Sequence, residues 1–160
     1  MHYRFLLSLL LMGCSAGPAA TQNAPYTIPE FTFYRMDDTP FTRNDLSRTT
    51  HIVFVFFSTT CHHCQDETQA MGKNFSDFSQ STLYFISREE KGEIEKFMNV
   101  YGKDLKDKAN VHVLRDPRSE FIVKFSPSQY PSVYVYTPTR RLVKHFSGET
   151  PIEEITAVLK

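Results

Sequence analysis

Short apolar runs alternate with stretches of helical periodicity along most of the chain. Residues 52–57 are six consecutive apolar residues rich in branched and aromatic types, which is the pattern of a strand buried on both faces. Side chains suited to one face of an amphipathic helix then recur at steps of three and four, at Cys64, Thr68, Met71, Phe75 and Phe78. Thr60 is placed to cap the first turn of that helix.

The same alternation extends in both directions from this segment. A short strand at 31–36 and a single helical turn at 44–46 precede the buried strand. Residues 82–86 and 111–114 are two further predicted strands, separated by a helical stripe at 94–105. This order of elements predicts an α/β domain.

The C-terminal part of the chain completes the pattern. A short helix is predicted around 121–125, and residues 132–137 and 140–146 alternate on either side of a proline-containing turn, which predicts an antiparallel hairpin. A last helix follows Thr150, which has the spacing of a capping box, with Pro151 at the first helical position.

Composition and charge limit the function classes. The 160 residues are 41% hydrophobic and 14% aromatic, enough for one domain with a substantial core. The chain has 18 lysine and arginine residues and 18 aspartate and glutamate residues, so the formal net charge is zero. The chain therefore lacks the basic excess that would favour nucleic acid as a partner and the acidic excess that would favour disorder.

The N terminus has the features of an export signal. His2 and Arg4 precede an apolar run at 5–12, which is far shorter than the ~20 residues that span a bilayer. Residues 11–14 resemble the bacterial lipoprotein box, and this resemblance implies cleavage before Cys14 and attachment of lipid to it. The alternative is a plain secretory signal.

The predicted domain organisation follows from that signal. Residues 1–13 are the lipoprotein signal peptide, 14–25 are a flexible tether of small and polar residues, and 26–160 are the folded domain. Lipid on Cys14 would anchor the protein to a bacterial membrane. The serine that follows it is compatible with the outer membrane, so a periplasm-facing outer-membrane location is favoured over the inner membrane.

The sequence Cys-His-His-Cys stands where the central strand runs into the helix. Unpaired N–H groups and the helix dipole at that position stabilise a thiolate on Cys61. Cys64, one turn further, is expected beneath Cys61, close enough to form a disulfide and screened from solvent. The pair would then have an attacking member and a resolving member.

The strand, the C-x-x-C at a helix start and a proline before a distal hairpin together resemble the thioredoxin fold. The resemblance implies a three-layer α/β/α sandwich with a central mixed sheet and an N-terminal strand extension. It also implies a cis bond between Tyr130 and Pro131, both of which would bind substrate beside the cysteines. The export context and Glu67 resemble the TlpA/ResA-like membrane-anchored thiol-disulfide oxidoreductases.

Two positions depart from the thioredoxin pattern. Thr60 replaces the aromatic residue that usually precedes the first cysteine, and Val55 stands where a buried acid is usual. Glu67, three residues after Cys64, could fill the second gap by taking the proton of Cys64 during resolution of a mixed disulfide. The alternative is that Glu67 is an exposed residue on a charged turn.

His62 and His63 are predicted to tune the redox pair. A protonated imidazole near Cys61 favours the thiolate, and so favours the reduced state of the pair. His63 matches a histidine of the strongly oxidising DsbA-like proteins, whereas other features resemble the reductive branch, so the direction of net transfer stays open. The alternative is that both histidines are exposed and have little effect.

Metal binding is the rival class of function. Cys61, Cys64 and histidines could hold copper(I) or zinc, with His112 and His145 as distal candidates in strands where an outward, solvated imidazole is expected. A peroxiredoxin activity is disfavoured because its proline and threonine arrangement is absent. The favoured function needs no cofactor beyond a Cys61–Cys64 disulfide, and its expected partners are protein thiols or disulfides and an upstream redox protein.

Overall fold

A computed structural model of the chain describes residues 24–160. The predicted signal peptide, the lipidation of Cys14 and most of the tether lie outside the described residues. No helix among the described residues combines the length and the apolar character needed to cross a membrane.

The sheet is mixed, and it contains all the strands that the sequence predicts. In chain order these are β1 (Thr32–Arg35), β2 (Pro40–Thr42), β3 (His51–Phe56), β4 (Ser81–Ser87), β5 (Val111–Arg115), β6 (Ser132–Tyr136) and β7 (Leu142–Ser147). Their spatial order is β2-β1-β5-β4-β3-β6-β7. The β3/β4 and β4/β5 pairs are parallel, and the remaining pairs are antiparallel.

The helices cover both faces of this sheet. They are α1 (His62–Lys73), α2 (Lys91–Val100), α3 (Glu120–Phe125) and α4 (Ile152–Ala157), with 3₁₀ turns at Arg43–Asp45 and Phe75–Phe78. The predicted three-layer, thioredoxin-like α/β/α architecture is therefore confirmed. The predicted N-terminal strand extension is the β1/β2 hairpin, which joins the sheet beside β5.

The two faces of the sheet bury different kinds of side chain. The face under α1, α2 and α4 is largely aliphatic and contains Cys64 and Met71. The opposite face packs aromatic rings from β1, β2, β3 and β6 against Phe121 and Phe125 of α3. Burial of these two sets of side chains against the sheet is the main force that holds the three layers together.

Three sequence-based expectations about helix ends are wrong. The stripe through Phe78 is not one helix, because Asn74 ends α1: its side-chain amide and its backbone N–H both donate to the Ala70 carbonyl. The stripe at 94–105 breaks in the same way, since α2 ends at Val100 and the carbonyl of Gly102 accepts the next two turn hydrogen bonds. At α4, Pro151 is the N-cap and no capping box forms, because the Thr150 hydroxyl donates to the Gly148 carbonyl.

Candidate active site

The turn after β3 places Cys61 at the start of α1. Strand β3 is buried and held between β4 and β6, and the Cys61 N–H donates to the Ser58 carbonyl at 3.2 Å. Cys61 is the N-cap residue, with extended backbone angles, and its sulfur accepts a hydrogen bond from the Cys64 N–H at 3.3 Å. An N–H donor at a helix N terminus is the geometry that stabilises negative charge on sulfur.

Thr60 does not cap α1, contrary to the sequence-based expectation. Its hydroxyl lies 3.3 Å from that of Ser58, and the capping position belongs to Cys61, one residue later. The reason is that the sulfur of Cys61 already occupies the position from which a side chain can reach the first free N–H groups.

The two cysteines differ sharply in exposure. Cys61 is half-buried, whereas Cys64 is 1% exposed and packs in the aliphatic core. Burial raises the pKa of Cys64, and its hydrogen bond with Cys61 and the nearby charge of Glu67 add to that increase. Cys64 therefore keeps its proton at neutral pH unless a base removes it.

Glu67 is buried, so its alternative interpretation as an exposed residue is wrong. Its side chain is 2% exposed, and Oε2 accepts the Thr150 N–H at 2.9 Å. The other oxygen, Oε1, is buried without a hydrogen-bond partner. Burial raises the pKa of Glu67 from 4.5 to about 7; the Thr150 hydrogen bond opposes the increase, and the charge of Glu149 adds to it.

The two histidines between the cysteines are exposed. His63 Nδ1 lies 2.6 Å from Oε2 of Glu149, a residue on the loop between β7 and α4. Sequence reasoning missed Glu149, because no local pattern links two residues that are 86 positions apart. Its carboxylate sets a negative charge against the positive charge that His63 was expected to contribute.

The loop before β6 brings Tyr130 and Pro131 to the same region. The Tyr130–Pro131 bond is cis, as predicted, and the Pro131 carbonyl accepts the Gly148 N–H at 2.8 Å. The Tyr130 ring stacks on Phe56 with centroids 4.9 Å apart. Burial raises the pKa of Tyr130, and a hydrogen bond with Arg88 opposes that increase. Tyr130 also packs against the buried cluster that contains Cys64.

A cavity of about 340 Å³ opens beside Glu67, between α1 and the loop that carries Glu149. Its lining residues are Glu67, Ala70, Glu149, Thr150, Pro151 and Ile152. A second cavity, of about 640 Å³, lies between α2 and β5; His112, a distal candidate for metal binding, lines it, and none of the residues predicted for the redox site does. The first cavity therefore adjoins Glu67, and neither cysteine lines either cavity.

The distal histidines lie in strands, as predicted, but only one of them is solvated as expected. His112 is exposed and stacks on Tyr84, whereas His145 is half-buried, stacks on Tyr134 at 4.1 Å, and has a buried Nε2 without a partner. Residues 24–160 contain no group of three or more histidine, cysteine, aspartate or glutamate side chains placed to hold a metal ion.

Comparison with known proteins agrees with this geometry. A family model described as the AhpC/TSA family matches residues 26–145. No curated protein matches the chain.

The fold is shared with solved structures of low sequence identity. DsbF of Mycobacterium tuberculosis, solved in mixed oxidized and reduced forms, is 19% identical, with a TM-score of 0.70 over 86% of this chain and 97% of that one. The peroxidoxin BcpB of that organism is 16% identical, with a TM-score of 0.70 and coverages of 86% and 96%. A secreted disulfide oxidoreductase of that organism, homologous to Escherichia coli DsbE, is 18% identical, with a TM-score of 0.63 and coverages of 81% and 93%.

Proposed function

The chain belongs to the AhpC/TSA family, whose members are thiol oxidoreductases, and from that premise we propose that it exchanges disulfides with protein partners outside the cytoplasm. The observation that carries the proposal is the cysteine pair itself. A half-buried Cys61 caps α1 and accepts the Cys64 N–H, while Cys64 lies buried one turn below. This is an arrangement with one accessible nucleophile and one protected partner.

The reaction follows from the different environments of the two sulfurs. The Cys61 thiolate attacks a disulfide of the partner, which forms a mixed disulfide and releases one partner thiolate. Cys64 then attacks the Cys61 sulfur, which forms the Cys61–Cys64 disulfide and releases the second thiolate. Two electrons have passed to the partner, and the same steps in reverse oxidise a partner dithiol.

Glu67 acts as the base for Cys64 in the second step. Cys64 holds its proton because it is buried, and the pKa of Glu67, raised to about 7, suits proton acceptance at neutral pH. The unpartnered Oε1 is free to accept that proton. The Cys61–Cys64 couple is the redox centre and uses no other cofactor, so an upstream redox protein must reset it after each cycle.

Tyr130 and Pro131 form the surface that receives the partner chain. The half-buried Tyr130 ring, stacked on Phe56, offers an apolar contact beside the cysteines. His62 and His63 adjust the redox balance of the pair. The contribution of His63 is moderated by Glu149, whose carboxylate lies against its ring.

The location proposed for the protein rests on its N-terminal sequence. Residues 1–13 act as the signal, Cys14 receives lipid, residues 14–25 form the tether, and the domain at 26–160 faces the periplasm from the outer membrane. The similarity to a secreted disulfide oxidoreductase supports export. Cys14→Ala should abolish incorporation of labelled palmitate and release the protein from the membrane fraction; unchanged labelling would contradict lipidation.

The activity is tested by reduction of insulin disulfides with dithiothreitol as the electron donor. The full chain should accelerate the reaction, and Cys61→Ser should return it to the uncatalysed rate. Cys64→Ser should lose this activity and, when it is reduced and freed of dithiothreitol before it meets insulin, should trap Cys61 in a mixed disulfide that is visible by mass spectrometry. Catalysis that survives Cys61→Ser would overturn the proposal, and stoichiometric copper or zinc, lost in either cysteine variant, would favour a metal site instead.

A further inference from the structure

The loop between β7 and α4 contacts the carboxyl group of Glu67. The Thr150 N–H holds Oε2 of Glu67, and the preceding residue, Glu149, lines the same cavity of about 340 Å³. On its outer side, Glu149 Oε2 lies 2.6 Å from Nδ1 of His63. Glu149 thus stands between a buried acid that lacks one partner and an exposed imidazole.

The position of this loop is fixed from two sides. Gly148 has a positive φ of 83°, and its N–H donates to the carbonyl of the cis-proline Pro131. The hydroxyl of Thr150 turns back to the Gly148 carbonyl. These bonds hold Glu149 against α1 rather than leaving it to move with solvent.

Few charged groups surround Glu67 in the described part of the chain. On its own helix, Cys64 lies one turn before it, His63 stands at the start of α1, and Asp66 is exposed. On the packed α4, Glu153 and Glu154 are exposed as well. The charge of Glu149 is the one from a neighbouring element that raises the pKa of Glu67.

We propose that Glu149 is a positioning residue for Glu67: its loop holds the Glu67 carboxyl group, and its carboxylate, paired with His63, controls the transfer of the Cys64 proton to Glu67. This inference rests on the proposed disulfide exchange. His63 then has a role at the resolving cysteine in addition to its predicted effect on Cys61.

The Cys64 thiol gives its proton to the Glu67 carboxylate, and the resulting thiolate attacks the Cys61 sulfur of the mixed disulfide. The Cys61–Cys64 bond forms, the partner sulfur leaves as a thiolate with the electron pair of the broken bond, and Glu67 later returns the proton to water.

The test follows the two steps separately in the reduced full chain with dithiobis(nitrobenzoate), and Cys14 is changed to alanine in every protein compared because it is a third thiol. Cys61 releases the first thionitrobenzoate, and attack by Cys64 releases the second, so each step has its own absorbance phase. The rate of the second phase is measured between pH 5 and pH 9. The rate should rise with pH through a midpoint near the pKa of Glu67, about 7. Glu67→Gln should remove this rise.

Glu149→Gln should lower that midpoint by several tenths of a pH unit, because a negative charge near Glu67 is removed. His63→Asn should raise it, because the Glu149 carboxylate loses the imidazole that lies 2.6 Å from its Oε2. In the Glu149→Gln/His63→Asn double variant the effect of His63 should disappear. Glu154→Gln, a change at an exposed glutamate on α4, is the matched control and should leave the midpoint in place, and Glu149→Asp should restore most of the original profile.

The outcomes separate the inference from the activity on which it depends. Absence of a second phase in the chain that is changed only at Cys14 would overturn the proposed dithiol chemistry itself. A normal second phase whose midpoint is the same in Glu149→Gln would overturn only the role of Glu149. A uniform loss of rate at every pH, with no shift of midpoint, would mean that the loop is merely structural and would also overturn it.

Discussion

Two carboxyl groups are buried in this domain, and their surroundings differ. Asp116, at the start of α3, is 0% exposed, and each of its oxygens accepts a backbone N–H: Oδ1 from Glu120 at 2.9 Å and Oδ2 from Phe121 at 2.8 Å. Glu67, on α1, is 2% exposed, but only one of its oxygens has a partner.

The difference distinguishes a structural acid from a reactive one. Asp116 takes over the capping of α3, since the side chain of Ser119 at the N-cap makes no capping hydrogen bond. Burial raises the pKa of Asp116, and two N–H bonds oppose that increase. Glu67 has a single opposing bond, and its pKa is raised to about 7. An incompletely bonded buried carboxyl group is one that can exchange a proton at neutral pH.

The largest expected effect is on the rate of disulfide resolution. Glu67→Gln should slow the second thionitrobenzoate release at pH 7 by about a thousandfold, since a general base typically contributes between about 10² and 10⁴. The first release, from Cys61, should change little. Asp116→Asn should leave both phases near their original rates. Equal slowing of the second phase by the two variants would show that Glu67 has no role in resolution that Asp116 lacks.

The second effect is a gain in stability of the Glu67→Gln variant that depends on pH. The folded-state pKa of Glu67, about 7, lies above the ordinary value of 4.5, so the native state binds this proton more tightly than the unfolded state does. Stability from this group is therefore full below pH 4.5 and is lost as pH rises through 7. Glu67→Gln should match the original chain at pH 4 and exceed its free energy of unfolding by about 3 kcal/mol at pH 8.5.

Urea unfolding under reducing conditions measures this difference at both pH values. Reduction removes the contribution of a Cys61–Cys64 disulfide, so the comparison reports on the carboxyl group. A variant that is less stable than the original chain at pH 8.5 would show that ionised Glu67 is well solvated by its surroundings.

The third effect is a loss of stability on substitution of Asp116, opposite in sign to the gain expected for Glu67→Gln. Asp116→Asn should lower the free energy of unfolding by about 1–3 kcal/mol at pH 7, because an amide NH₂ would face one of the two backbone N–H donors and leave it unsatisfied. Urea unfolding at pH 7 checks this value. A stabilising substitution would mean that the desolvation of Asp116 outweighs its two hydrogen bonds.

The smallest expected effect is the coupling between the two acids. Glu67 packs with α1 over the aliphatic face of the sheet, and Asp116 serves α3 on the aromatic face. The unfolding free energies of the Glu67→Gln/Asp116→Asn double variant should therefore be additive within about 0.5 kcal/mol. A larger coupling energy would mean that the two sites interact across the sheet.

The sequence predicted those features that depend on local patterns. The buried strand β3, the helix after it, and the cysteines at their junction follow from residue order and spacing alone. The cis bond before Pro131 followed from resemblance to a fold rather than from any local rule.

The features that the sequence did not predict arise from tertiary contacts. Glu149 meets His63, and the Thr150 N–H meets Glu67, across separations of 86 and 83 residues. The Thr150 capping box failed for a related reason, because in the folded loop its groups serve Gly148 and Glu67 instead of α4. No periodicity or propensity reports such pairings.

The central claim is that Cys61 and Cys64 form one redox couple, and titration of the full chain with glutathione buffers tests it most directly. Alkylation and mass spectrometry at each ratio of reduced to oxidised glutathione count the thiols at the two positions. We expect both thiols to disappear together in a single two-electron transition, with a peptide cross-link between Cys61 and Cys64. A glutathione adduct that stays on Cys61 while Cys64 remains a free thiol would contradict the account.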